Sequence, residues 1–203
     1  VTYISNVLPN LDLNGLCGDA TPTAEYRFDE TNFSGVDAIL DSSGNNLHAT
    51  STNVQPVDGL LCNAADFSAN SINDYITLNP SAMNGLSDFS VVIWGKSNSS
   101  QDSSILSGAR DSSAQGTNEA VFYFDNNNEF WPSITSSPFD TGTQLGSTVN
   151  MNNGDWHQLV WTRKANTAQS CFYFDGVNQG CVTHSDGDDN DALQIASLIL
   201  GQE

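Results

Sequence analysis

Hydrophobic residues in this chain alternate with polar ones over short distances and then stop at corners. The stretch Phe89-Ser90-Val91-Val92-Ile93-Trp94-Gly95-Lys96 puts Phe89, Val91 and Ile93 on one face and Val92 and Trp94 on the other. A period of two with apolar residues on both sides predicts a strand with both faces partly covered. Asn153-Gly154-Asp155 is a tight turn that feeds Trp156-His157-Gln158-Leu159-Val160-Trp161-Thr162-Arg163, a second strand with Trp156 and Trp161 on opposite faces. Cys171-Phe172-Tyr173-Phe174 follows and ends at the turn pair Asp175-Gly176, the composition of a two-residue hairpin. Residues 24–29, 66–67, 75–78, 105–107, 121–125, 177–182 and 198–201 read as further strands. No long segment carries helical periodicity, and no internal repeat recurs at fixed spacing. About a dozen short strands at close spacing predict an all-β fold, a two-sheet sandwich.

Composition agrees with that reading. Among 203 residues, 38% are hydrophobic and 9% aromatic, so the core must be built from few but large side chains, which suits the gap between two sheets. Thr21-Pro22-Thr23 breaks the chain, so residues 1–23 read as an arm or linker and 24–203 as one domain.

The net charge of -19, with five Lys and Arg in all, excludes a nucleic-acid binder, which needs a positive surface to displace counterions. It also disfavours an anionic membrane surface. No apolar run is long enough for a membrane-spanning helix. The acidity is either a solvated surface or, in some loops, a set of ligands for Ca²⁺. Four cysteines form no C-x-x-C pair, which argues against zinc or a thioredoxin-like site. Cys171 and Cys181 face each other if a hairpin turns at Gly176, which leaves Cys17 and Cys62 as a second pair. An even count suggests an oxidising compartment outside the cytoplasm. Without an initiator Met, the chain reads as a processed product or an excised fragment.

The polar region 126–150 holds Phe130, Trp131 and Phe139. These rings either cap the sandwich or line a groove for glycan or protein, with Trp131 and Phe130 as stacking surfaces and Asn128 supplying amide hydrogen bonds. The acidic loop 186–191 lacks the ligand order of an EF-hand and reads as a solvated loop or a weak cation site. His157 reads as a packing residue, since no second His sits at ligand spacing. Catalysis is not expected. Five Glu are scattered along the chain and no strand carries a row of acids like that of a glycosidase.

Nine fragments in order resemble the LamG-like (laminin-G/pentraxin, concanavalin A-like) jelly roll: Glu25 to Glu30, Asp41 to Asn45, Asp66-Phe67, Asp74-Tyr75-Ile76, Phe89 to Trp94, Ile105-Leu106-Ser107, Gly154-Asp155-Trp156-His157, Phe172 to Gly176, and Leu198 to Gly201. The stretches 59–67, 121–125 and 170–181 are similar to LamG-like domains of mannose-sensitive haemagglutinin pilus biogenesis proteins of marine gamma-proteobacteria. The resemblance implies an extracellular, pilus-associated recognition module for glycan or a cell-surface protein, with other pilus or filament subunits as further partners. It also implies a structural calcium at the 41–46 loop, held by Asp41 with Gly44 and Asn46. The competing reading of that loop is a plain Asx turn. Domains of the family continue past Leu-Ile-Leu-Gly to a last strand beside the first. Because this sequence ends at Glu203, an open sheet edge is expected near Tyr26 and Phe28, to be filled either by a last strand present in the natural polypeptide or by strand addition from a neighbouring chain.

Overall fold

The computed structural model describes residues 2–4, 21–68, 73–98, 103–110, 118–124, 130–134, 149–183 and 192–201, with backbone alone at 2–4, 103, 118–119, 124 and 131–133. Among the described residues thirteen strands run in chain order: β1 (Thr2–Ile4), β2 (Thr50–Thr52), β3 (Gln55–Asp58), β4 (Asn63–Asp66), β5 (Tyr75–Leu78), β6 (Phe89–Lys96), β7 (Ser103–Ala109), β8 (Asn118–Phe124), β9 (Phe130–Ile134), β10 (His157–Lys164), β11 (Gln169–Phe174), β12 (Val177–Thr183) and β13 (Ser197–Gly201). They form a seven-stranded sheet, β12-β11-β10-β6-β1-β4-β3, and a six-stranded sheet, β2-β5-β13-β7-β8-β9. All pairings are antiparallel. This is the expected jelly-roll sandwich. Among the described residues the only helical pieces are 3₁₀ turns at Pro80–Ala82 and Ala165–Thr167.

The expected alternation sets the register. Val92, Val160 and Tyr173 lie opposite one another across β6, β10 and β11, while Ile93, Leu159 and Phe174 occupy the next, inward row. The β11–β12 hairpin closes through Asp175 (φ 49°) and Gly176 (φ 77°). Two successive positive φ values match the right-handed twist of the paired strands.

Large rings fill the space between the sheets. Trp161, Phe122, Phe130 and Phe172 are each 0% exposed. Phe122 and Phe130 come from the six-stranded sheet, Trp161 and Phe172 from the other. Phe130 stacks on Phe172 at 4.0 Å between centroids, Phe122 lies 5.6 Å from Trp161, and Phe89 meets Trp161 edge-on at 4.8 Å. Burying one such ring stabilises the fold by roughly 2–3 kcal/mol, and the ring pairs add about 0.5–1.5 kcal/mol each.

Two expectations need correction. Residues 24–29 do not form a regular strand. Only an isolated Tyr26–Asp41 bridge is present, because Phe28 at φ 58° turns the chain. Part of the arm lies inside the domain, since Thr2–Ile4 pairs with both β4 and β6.

Candidate functional site

The 41–46 loop is built around one carboxylate. Asp41 Oδ1 accepts the N–H of Glu25 and of Ser43, and Oδ2 accepts the Ser43 hydroxyl and the Leu47 N–H. Burial pushes the Asp41 carboxyl up, but these four donors outweigh it and hold the group below the usual carboxylate range. Positive φ at Gly44 (92°) and Asn46 (57°) lets the backbone curl around the oxygens. The loop is thus an Asx turn that ties residue 25 to residues 43 and 47. Both oxygens face N–H and O–H hydrogens, where a cation would need bare lone pairs. The residues present do not fit a calcium centre in this arrangement. No cluster of three or more metal-ligating side chains occurs among the described residues.

The same loop holds Tyr26. Its hydroxyl donates to the Leu47 carbonyl at 2.6 Å. Burial, with the Asp41 charge beside it, pushes the Tyr26 hydroxyl up to about 12.

The expected stacking surface divides. Phe130 is fully buried against Phe172, so it is a core residue and cannot meet a ligand without opening the sandwich. Trp131 lies in β9 opposite Tyr123, with its side chain outside the described ones, and Asn128 lies outside the described residues altogether. Cys171 and Cys181 are bridged across β11 and β12 as expected. Cys62 is exposed and carries a free thiol, so the expected second bridge is not seen from its side; Cys17 lies outside the described residues. His157 stacks on Phe174 at 4.5 Å, with Nδ1 2.8 Å from Asp175 Oδ2 and Nε2 3.1 Å from Asn153 Oδ1. It pins two turns together, as a packing residue would.

A different surface gathers the chemistry of recognition. The outward row Val92, Val160, Tyr173 and Asn178 crosses β6, β10, β11 and β12, and Trp94 stands opposite Gln158 one step along. Strand spacing places Trp94 and Tyr173 about 12 Å apart on one face. Both are half-buried, and Val92 is 45% exposed. The Trp94 indole N–H, the Gln158 amide and the Tyr173 hydroxyl make no hydrogen bond among the described residues. Beyond Trp94, the Lys96 ammonium sits 5.3 Å from the centre of the Trp156 ring. The backbone below is held firmly: the Gln158 N–H donates to Asp175 Oδ1, and the Asp175 N–H donates to the Gln158 carbonyl. Each flat ring, flanked by free hydrogen-bonding groups, can stack on a sugar ring and bond its hydroxyls. The alternation along β6 placed Val92 and Trp94 on one side of the strand without giving that side a role. Only the pairing of β6 with β10 and β11 brought Tyr173 and Gln158 to it.

Comparison with known proteins agrees with the fold. The chain is similar to domain 4 of AbnA, a GH43 extracellular arabinanase from Geobacillus stearothermophilus solved with arabinotriose, at 20% identity and a TM-score of 0.60, covering 89% of this chain and 83% of that one. Weaker likenesses are to the CBM40 of the Ruminococcus gnavus IT-sialidase bound to α2,3 sialyllactose (13% identity, TM-score 0.43, 56% and 62% covered) and to CBM66 from Bacillus subtilis (11% identity, TM-score 0.40, 76% and 92% covered). No curated protein matches the chain. The family description for the concanavalin A-like lectin/glucanases superfamily (Laminin_G_3) matches residues 70–202. The chain belongs to this superfamily.

Proposed function

We propose that this chain is a non-catalytic recognition domain that binds glycan on the outer face of the seven-stranded sheet. The observation that carries the reading is the placement of Trp94, opposite Gln158, and of Tyr173, opposite Val160, on one face with hydrogen-bonding groups free. The likeness to AbnA domain 4, solved with arabinotriose, supports it. The Cys171–Cys181 bridge and the charge of -19 suit an extracellular setting. No helix among the described residues is long and apolar enough to cross a membrane. A pilus-associated surface protein is the setting we favour, on the sequence resemblance, and co-purification of the full-length protein with sheared pili tests it. A glycan array on the intact domain tests the function. Binding that Trp94→Ala and Tyr173→Ala each weaken supports it. Binding unaffected by both, or absent throughout, removes it.

A second reading concerns assembly. β6 pairs with β10 from Phe89 to Gly95 but with β1 only from Trp94 to Lys96. Beside the remainder lies a cleft of about 290 Å³ whose lining includes Tyr26, Phe28, Phe89, Val91 and Ile93. An added strand would bond the β6 backbone and seat alternate side chains in the cleft. Self-association in sedimentation that Val91→Lys abolishes supports this role; a monomer at every concentration favours glycan binding alone.

A further inference from the structure

The recognition face differs electrically from the rest of the chain. The protein carries 24 Asp and Glu, yet β6, β10, β11 and β12 contain none. The same four strands hold three of the five basic residues: Lys96, Arg163 and Lys164. Arg163 points inward and is 3% exposed. Lys96 and Lys164 stand at opposite ends of the outer face, with the Trp94–Gln158–Tyr173 platform between them.

Lys96 is the better placed of the two. It follows Trp94 on the same side of β6, and the Trp156 ring holds its ammonium at 5.3 Å. An ammonium on a ring face keeps its three N–H donors for another group. No carboxylate lies within ion-pair distance of Lys96 among the described residues. The Asp175 carboxylate at the rim already uses both oxygens, one on His157 Nδ1 and one on the Gln158 N–H. Lys164 lies at the far end, where the next residue, Ala165, donates its N–H to Asp88 Oδ1.

The net charge of -19 opposes any anion at long range. Salt screens that repulsion beyond about 8 Å at physiological ionic strength, while a direct contact pair is screened far less. On this face β6, β10, β11 and β12 carry no acid, and the carboxylate in the same row as Lys96, that of Asp66, lies two strands away beyond Thr2. The ring-held Lys96, in no ion pair among the described residues, is therefore the place where this protein can accept a negative group. We infer that the recognised glycan carries an anionic substituent, a uronate carboxylate or a sulfate, and that Lys96 receives it beside the Trp94 platform. This rests on the glycan-binding reading above and adds the class of sugar.

Titration calorimetry with matched pairs tests it. One arm compares an α1,4-galacturonate trimer with its methyl ester, the other a sulfated galactose trisaccharide with its desulfated form. The acidic member of at least one pair should bind about tenfold tighter or more, the scale of a charge-assisted hydrogen bond. The arm that shows the preference distinguishes carboxylate from sulfate. Lys96→Gln should abolish the preference, whereas Lys96→Arg and Lys164→Gln should retain it, with circular dichroism confirming the fold of each. Equal affinity within both pairs overturns the acidic preference and leaves glycan recognition in place. A preference that survives Lys96→Gln overturns the role of Lys96. Absence of binding to these probes and to a broad array of neutral glycans overturns both readings.

Discussion

The Phe130 ring lies on the Phe172 ring with 4.0 Å between centroids and 22° between planes. The two residues belong to opposite sheets, so the contact spans the full thickness of the sandwich. Phe122 and Phe174 also approach Phe130, at 6.0 and 6.4 Å. Phe130→Ala should lower stability by about 3–5 kcal/mol, the range for removing a buried ring whose neighbours cannot close the gap. Urea denaturation measures it. A loss under about 1 kcal/mol would mean that the ring is not in the core.

Asp41 should matter through hydrogen bonds. Asp41→Ala leaves the N–H groups of Glu25, Ser43 and Leu47 without their acceptor and should cost about 2–4 kcal/mol. Because the folded carboxyl titrates below its unfolded counterpart, its contribution is complete above the unfolded value of about 4 and is lost as pH falls through the lower folded value. Thermal melts should show a drop on that acid limb that Asp41→Asn flattens. With the carboxylate already filled by donors, EDTA at neutral pH should leave the melting temperature unchanged. A fall with EDTA that added Ca²⁺ reverses would point to a metal at this loop or elsewhere.

Gly201 closes β13 at φ 98°, and a Cβ there would come within 2.5 Å of the Phe67 ring. Gly201→Ala combines a conformation that L-residues rarely adopt with a steric clash. It should destabilise by about 2 kcal/mol or more in chemical denaturation. A neutral result would mean that the Phe67 ring moves aside freely.

The Cys171–Cys181 bridge closes a sequence separation of 10. For a loop of that size, the chain-entropy model gives ~2–3 kcal/mol. The Cys171→Ala, Cys181→Ala double variant should lose about that much by urea denaturation. A larger loss would show that the bridge also holds native packing.

Trp94 and Tyr173 are half-exposed, so their truncation to Ala should shift the unfolding midpoint little, by about 1 kcal/mol or less. Glycan affinity should fall about tenfold or more, as expected for a stacking ring. Equal losses of stability and affinity would assign these rings to packing.

By itself the sequence determined the fold class, which residues of β6 share a face, and the Cys171–Cys181 bridge. Those features follow from two-residue periodicity and from a turn at Asp175-Gly176, and both are local. It could not determine which rings meet. Phe130 sits in a polar neighbourhood and reads as a surface residue until β9 pairs with β8 and turns it toward Phe172. Asp41 reads equally as a metal ligand and as a turn former; the local donors of Ser43 and Leu47 suit the turn, and the tie to the Glu25 N–H, 16 residues away, came only with the fold. Val92 and Trp94 were legible as sharing one face of β6, with nothing to mark that face for recognition. Tyr173, Gln158 and the position of Lys96 over Trp156 came only with the pairing of strands distant in sequence. Register between such strands is fixed by the packed core as a whole, because sliding one strand by a residue would turn its buried face toward water.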